Sequence, residues 1–140
     1  NQGPGNFSGL RGSLAVAKGI SISKNISLYG YNTFLWSCVK FFNKKNQIYS
    51  LIKFNNKYFI KKFEKNLKRD LKSKEINEDE IMKKYSNQLI VIPKNFSEYF
   101  DKKILNLDNV KIANLDHNDL EFLRLKGLLD EELIKPLYLS

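Results

Sequence analysis

The chain has 140 residues, 42% of them hydrophobic, a formal charge of +9 and a pI near 9.5. That suits one domain with a modest core, and no apolar run is long enough for a membrane-spanning helix. A single cysteine, Cys38, excludes an internal disulfide; with a single histidine, His117, no metal shell can be completed, and the unrelated surroundings of the two argue for no Ser-His-Asp or Cys-His set.

The first stretch, Asn1 to Gly12, is rich in glycine with one proline and reads as a flexible extended arm. Within Leu14 to Asn25, Ile20, Ile22 and Ile26 alternate with Ser21 and Ser23, which predicts a short strand. Leu28 to Phe42 fits two readings. Leu28, Tyr31, Leu35, Val39 and Phe42 follow a helical stripe, whereas the aromatic and β-branched content favours a strand; the stripe tips the reading to helix. The lone Cys38 falls here and reads as a buried apolar side chain in a reducing compartment. Asn43 to Gln47 is a basic turn.

Ile48 to Phe63 organises the chain. Two runs of β-formers flank Asn55-Asn56, and Asn tolerates the positive φ of a two-residue hairpin turn. That turn sets Phe54 opposite Lys57, Ile52 opposite Phe59 and Ile48 opposite Phe63. One face then holds Ile48, Ile52, Phe54, Phe59 and Phe63. The other holds Tyr49, Leu51, Tyr58 and Ile60 with Lys53 and Lys62. Neither face is polar, so both should be covered, one by a core and one by RNA or a neighbouring segment.

Glu64 to Gln88 reads as a charged helical insertion. Asn77 is placed to cap a helix, with Glu80 three residues on as its reciprocal partner. The acids at Glu78, Asp79 and Glu80 sit where a helix dipole favours negative charge, so no catalytic role is assigned to them. Leu89 to Ile92 is a short strand ended by Pro93, and Ile104 to Ile112 a second strand, bent or bulged between Ile104 and Leu107. Asp116 to Asp119, with His117 as a surface residue, is turn material. Helical spacing follows from Leu120, and Asp130 to Glu132 look like another helix start.

Charge is placed unevenly. No Asp or Glu precedes Glu64, while acids and bases nearly cancel after it. An acid-free segment lets cations face phosphate without internal competition; the same bias also marks the remnant of an organellar targeting region. The residues expected to contact RNA are therefore Arg11, Lys18, Lys24, Lys40, Lys44, Lys45, Lys53, Lys57, Lys61 and Lys62, with Asn55 and Asn56 at the turn.

Two stretches carry a family resemblance. Tyr49-Ser50-Leu51-Ile52-Lys53-Phe54-Asn55-Asn56-Lys57-Tyr58-Phe59 resembles the opening hairpin of the bacterial-type large-subunit ribosomal protein L-twenty-one, with Asn-Asn in place of a Gly-Gly turn. Ile104, Leu107, Asp108, Val110 and Ile112 fall in order on a later strand pattern of that family. The resemblance implies a mostly β fold with added helices: a small β-barrel-like core built on the hairpin at 48–63, a helical insertion at 64–88 and a basic N-terminal extension over 1–46 ahead of a domain at 47–140. It implies a structural, non-enzymatic constituent of an organellar large ribosomal subunit, in the mitochondrial matrix or a plastid-type organelle. The implied partners are ribosomal RNA and neighbouring ribosomal proteins, without cofactor, metal, small-molecule substrate or integral membrane segment. The alternative is an accessory subunit of a mitochondrial respiratory complex, with Tyr29 to Phe42 at the membrane interface. A small nuclease or toxin domain ranks last, because no acid, His or metal constellation supports it.

Overall fold

The computed structural model describes residues 1–64, 72–131 and 134–139. In chain order they form α1 (Phe7–Lys24), α2 (Thr33–Cys38), a 3-10 turn (Val39–Phe41), β1 (Gln47–Phe54), β2 (Lys57–Glu64), β3 (Lys74–Ile76), α3 (Glu78–Lys83), β4 (Ile90–Pro93), α4 (Lys94–Ser97), α5 (Lys102–Leu105), β5 (Val110–Ala113) and α6 (His117–Leu125). The chain divides into two compact units, one of residues 1–33 and 117–140, the other of residues 34–116.

The second unit is built on the hairpin. Asn55 and Asn56 both adopt left-handed backbone, with φ of 49° and 60°, the geometry of a type I′ turn whose twist matches the flanking strands. The expected register follows: Phe54 pairs with Lys57, Ile52 with Phe59 and Ile48 with Phe63. β3 adds antiparallel to β2, and β4 and β5 add in parallel on the other side of β1, giving the order β3-β2-β1-β4-β5. Parallel neighbours need crossovers. The chain between β3 and β4 carries α3, and that between β4 and β5 carries α4 and α5.

The sheet is open and mixed, and the fold is mixed α/β. The expectation of a mostly β, barrel-like core is corrected on this point: the order ends on two unjoined strands, β3 and β5. The turns that follow α3 and α4 cover one face and α2 the other. Tyr49 meets Tyr85 edge-on at 5.1 Å and Tyr58 meets Phe100 at 5.7 Å on one face. On the other face the Ser50 hydroxyl lies 2.8 Å from that of Ser37 in α2. β4, Ile-Val-Ile-Pro, is buried along its whole length, as an inner strand covered on both sides requires.

Other expectations are redrawn. Residues 64–88 contain β3 as well as α3, and residues 65–71 lie outside the described ones. The Asn77 capping box forms: its side chain accepts from the Glu80 N–H, and the Glu80 carboxylate accepts from the Asn77 N–H. Ile104 sits in α5, not in a strand, so only Val110 to Ala113 pair with β4. The turn expected at Asp116 to Asp119 already opens α6. Asp130 begins no helix. It forms an isolated bridge to Gly30, and Glu132 lies outside the described residues.

In the first unit, the strand expected over 14–25 and much of the arm expected before it form α1 instead. Asn6 caps the helix by accepting from the Gly9 N–H, and Asn25 closes it in left-handed conformation with φ of 51°. The start of the arm is ordered as well. The Gln2 N–H donates to the Tyr31 carbonyl, its carbonyl accepts from the Leu137 N–H, and the Gly3 carbonyl accepts from the Thr33 N–H. The 28–42 stretch is helical over Thr33 to Phe41, as its stripe suggested.

Candidate functional site

The cations assigned to RNA fall in both units. Arg11, Lys18 and Lys24 lie on α1 in the first unit, and the others lie in the second. Within the hairpin, strand alternation divides them. Lys57 and Lys61 share a face with Ser50 and Ile52, whereas Lys53 and Lys62 share the opposite face with Tyr49 and Tyr58. Lys57 pairs with Glu75 at 3.0 Å and Lys62 with Glu64 at 2.8 Å. The hydrogen bond that Lys62 donates to Glu64 also holds its ammonium charged to higher pH than usual. Lys44, Lys53 and Lys61 lie over the rings of Phe41, Tyr58 and Phe63, and Lys40 donates to the Asn114 carbonyl at 3.3 Å. Lys45 is exposed. Asn55 and Asn56 shape the turn.

The nucleophile-bearing side chains lie in the core. Cys38 is fully buried, and burial pushes its thiol up to about 12 despite hydrogen bonds from Ser37 and Ser50. Ser37 donates to the Phe34 carbonyl or to Ser50, which is itself fully buried. These groups satisfy one another inside the sheet–helix layer. Among the described residues no group of three His, Cys, Asp or Glu side chains is placed to hold a metal ion, and no helix is long and apolar enough to cross a membrane.

The surface that the sequence reading missed is the outer side of α1. Its inner line is Leu10, Leu14, Ala17 and Ser21, all half-buried. With Leu28, Tyr29, Gly30, Gln2, Ile134 and Pro136, the first three line a small open cavity of about 70 Å³. No residue of the helix is buried, although Val16 is 64% exposed and Ile20 51%. Val16 and Ile20 are one turn apart and so stand one above the other. Gly12 and Gly19 flank them, and a β-carbon at either would meet nothing within 4 Å. The spacing of Leu10, Leu14, Ala17 and Ser21 was the available helical signal, but the alternation of Ile20, Ile22 and Ile26 masked it.

No family model matches the chain, and no curated protein does. Solved structures do. One is a crystal structure of an uncharacterized protein with similarity to the peptidase YeaZ from Pseudomonas aeruginosa. It superposes with a TM-score of 0.61 at 12% identity, covering 100% of this chain and 71% of that one. The fold is YeaZ-like. YeaZ from Pseudomonas aeruginosa itself superposes with a TM-score of 0.55 at 11% identity, covering 98% of this chain and 71% of that one.

The YeaZ-like fold overturns the reading as a ribosomal protein of the L-twenty-one family and, with it, the role in an organellar large ribosomal subunit. The shared pattern was an alternating apolar hairpin and a short strand, which many sheets contain; the five-stranded order around it belongs to a different architecture. Ribosomal RNA and ribosomal proteins gain no support as partners, and neither does a respiratory complex.

Proposed function

We propose that this chain is a non-catalytic binding subunit and that it docks a helical protein partner on the outer face of α1. The observation that carries the reading is an 18-residue helix without a single buried residue that nonetheless turns Val16 and Ile20 to solvent. Burying one such side chain is worth about 1.5–3 kcal/mol, which a partner would recover. Gly12 and Gly19 leave room for its backbone to approach closely.

Charge selects the partner. α1 carries Arg11, Lys18 and Lys24 and no acid. A second copy would bring like charges together, whereas an acidic helix would be drawn in and oriented. The peptidase name attached to a structural neighbour would call for a nucleophile. The fully buried Cys38 thiol and the mutually bonded Ser37 and Ser50 favour a binding role instead.

A photo-crosslinking residue at Val16 or Ile20 in the producing cell tests this. We expect one discrete adduct that maps to an acidic helix of another protein and is lost when the second position is changed to Asp. Labelling no stronger than from the exposed Ser27 would overturn the reading. So would sedimentation of the purified chain as a dimer that Val16→Asp converts to monomer, because the partner would then be a second copy.

A further inference from the structure

A different flank of α1 carries a second feature, which shares only the cations Arg11 and Lys18 with the reading above. Phe7 opens the helix and Arg11 lies one turn on, its guanidinium 4.9 Å from the centre of the Phe7 ring. Phe7 in turn stacks on Tyr138, with centroids 5.1 Å apart and planes inclined by 28°. Both rings remain open to solvent, Phe7 at 56% and Tyr138 at 46%. Core packing would bury such rings, since most of their stabilising value comes from leaving water. Here two rings inclined by 28°, with a guanidinium over one of them, are held at the surface instead. Lys18 continues the same flank, seven residues from Arg11 and so about 10 Å along the axis.

A half-open π stack edged by a guanidinium and a further ammonium, on a helix without acids, is the chemistry that recognises a base joined to a phosphate. Aromatic rings and guanidinium planes both stack on unpaired bases, and the cations take the backbone charge. We propose that Tyr138, Phe7 and Arg11 form a stacking platform for a base of single-stranded nucleic acid, with Lys18 on the adjoining phosphate. The platform does not use the Val16–Ile20 face and does not depend on a protein docking there.

The test is fluorescence anisotropy of the whole chain with labelled homopyrimidine RNA and DNA of about 12 nucleotides, and with an abasic strand of equal length and charge. The base-bearing strands should bind at least about tenfold more tightly than the abasic one. Phe7→Leu and Tyr138→Leu should weaken the base-bearing strands by roughly 5- to 100-fold and leave the abasic strand unchanged, while Tyr138→Phe keeps binding. Arg11→Ala should also lower the slope of log affinity against log salt by about 0.7, which neither leucine variant should do. Circular dichroism confirms that the variants are folded. Tighter binding of RNA than DNA, or the reverse, supports the platform and identifies its strand. Equal binding of abasic and base-bearing strands, leucine variants within twofold of wild type, or no binding of either nucleic acid overturns it.

Discussion

Gln2 lies so close against Gly30 that a β-carbon on Gly30 would stand 2.7 Å from Gln2 Cδ and 2.8 Å from Ile134 Cγ2. The Gln2 side chain has no freedom to retreat. Its Nε2 donates to Asp130 Oδ2 at 2.9 Å and to the Lys135 carbonyl at 3.0 Å, while its backbone bonds Tyr31 and Leu137. A residue from the start of the chain thereby ties Tyr31 to the segment after Asp130.

Gly30→Ala should therefore destabilise the protein by about 1–3 kcal/mol, the usual cost of overpacking. Gln2→Ala alone should cost about 1 kcal/mol through its lost hydrogen bonds. The double variant should be less destabilised than the sum of the two, because Gln2→Ala removes two of the three atoms that the new methyl meets, Cδ and Oε1. Ile134 Cγ2 is the third, so the relief is partial. Urea unfolding of the four proteins measures this, and strict additivity would show that Gln2 is not what closes the space over Gly30.

The Asn55-Asn56 turn makes a second case. Both residues sit at positive φ, which Asn adopts at modest cost and a β-branched residue does not. Asn56→Val should destabilise by about 1–3 kcal/mol, whereas Asn56→Gly should be neutral or stabilising by less than about 1 kcal/mol. Thermal melts distinguish the two. Equal melting temperatures would mean that the strands, not the turn, dictate the Ile52–Phe59 register.

Cys38 links stability to alkaline pH. Burial raises its folded pKa from the ordinary 9.0 to about 12. The unfolded chain therefore loses this proton first as pH rises, and between about 9 and 12 the folded state binds more protons than the unfolded. The stability associated with the neutral thiol is complete below pH 9 and declines through that window, by at most about 1.4 kcal/mol per pH unit. Cys38→Ala should be less stable at neutral pH, from the lost packing, but should show a shallower alkaline decline. In the wild type at pH 8, a thiol reagent should react only at the rate of unfolding; immediate labelling would contradict the burial.

What the sequence determined by itself was local. The Asn-Asn pair and the apolar alternation around it specified the hairpin and its register, and Asn77 with Glu80 specified a helix start, because turn and cap chemistry depend on residues two to four apart. Ile90 to Ile92 announced a buried strand by being uniformly apolar. The acid-free run before Glu64 was equally plain, but only as a count of charges.

Tertiary structure decided the rest. α1 buries none of its residues, so it carries no strong apolar stripe to outweigh the alternating isoleucines, and a helix with caps at both ends read as an arm and a strand. The barrel failed because closure depends on which strands become neighbours. The parallel placement of β4 beside β1 is made by a crossover that no short window reveals. Within the hairpin, the lysines that look like one basic run in sequence are divided between two faces by strand alternation, since each side chain's direction follows from the backbone that carries it. Phe7, Arg11 and Tyr138 show the converse. Only Phe7 and Arg11 are close in sequence, and it was folding that brought Tyr138 onto the Phe7 ring.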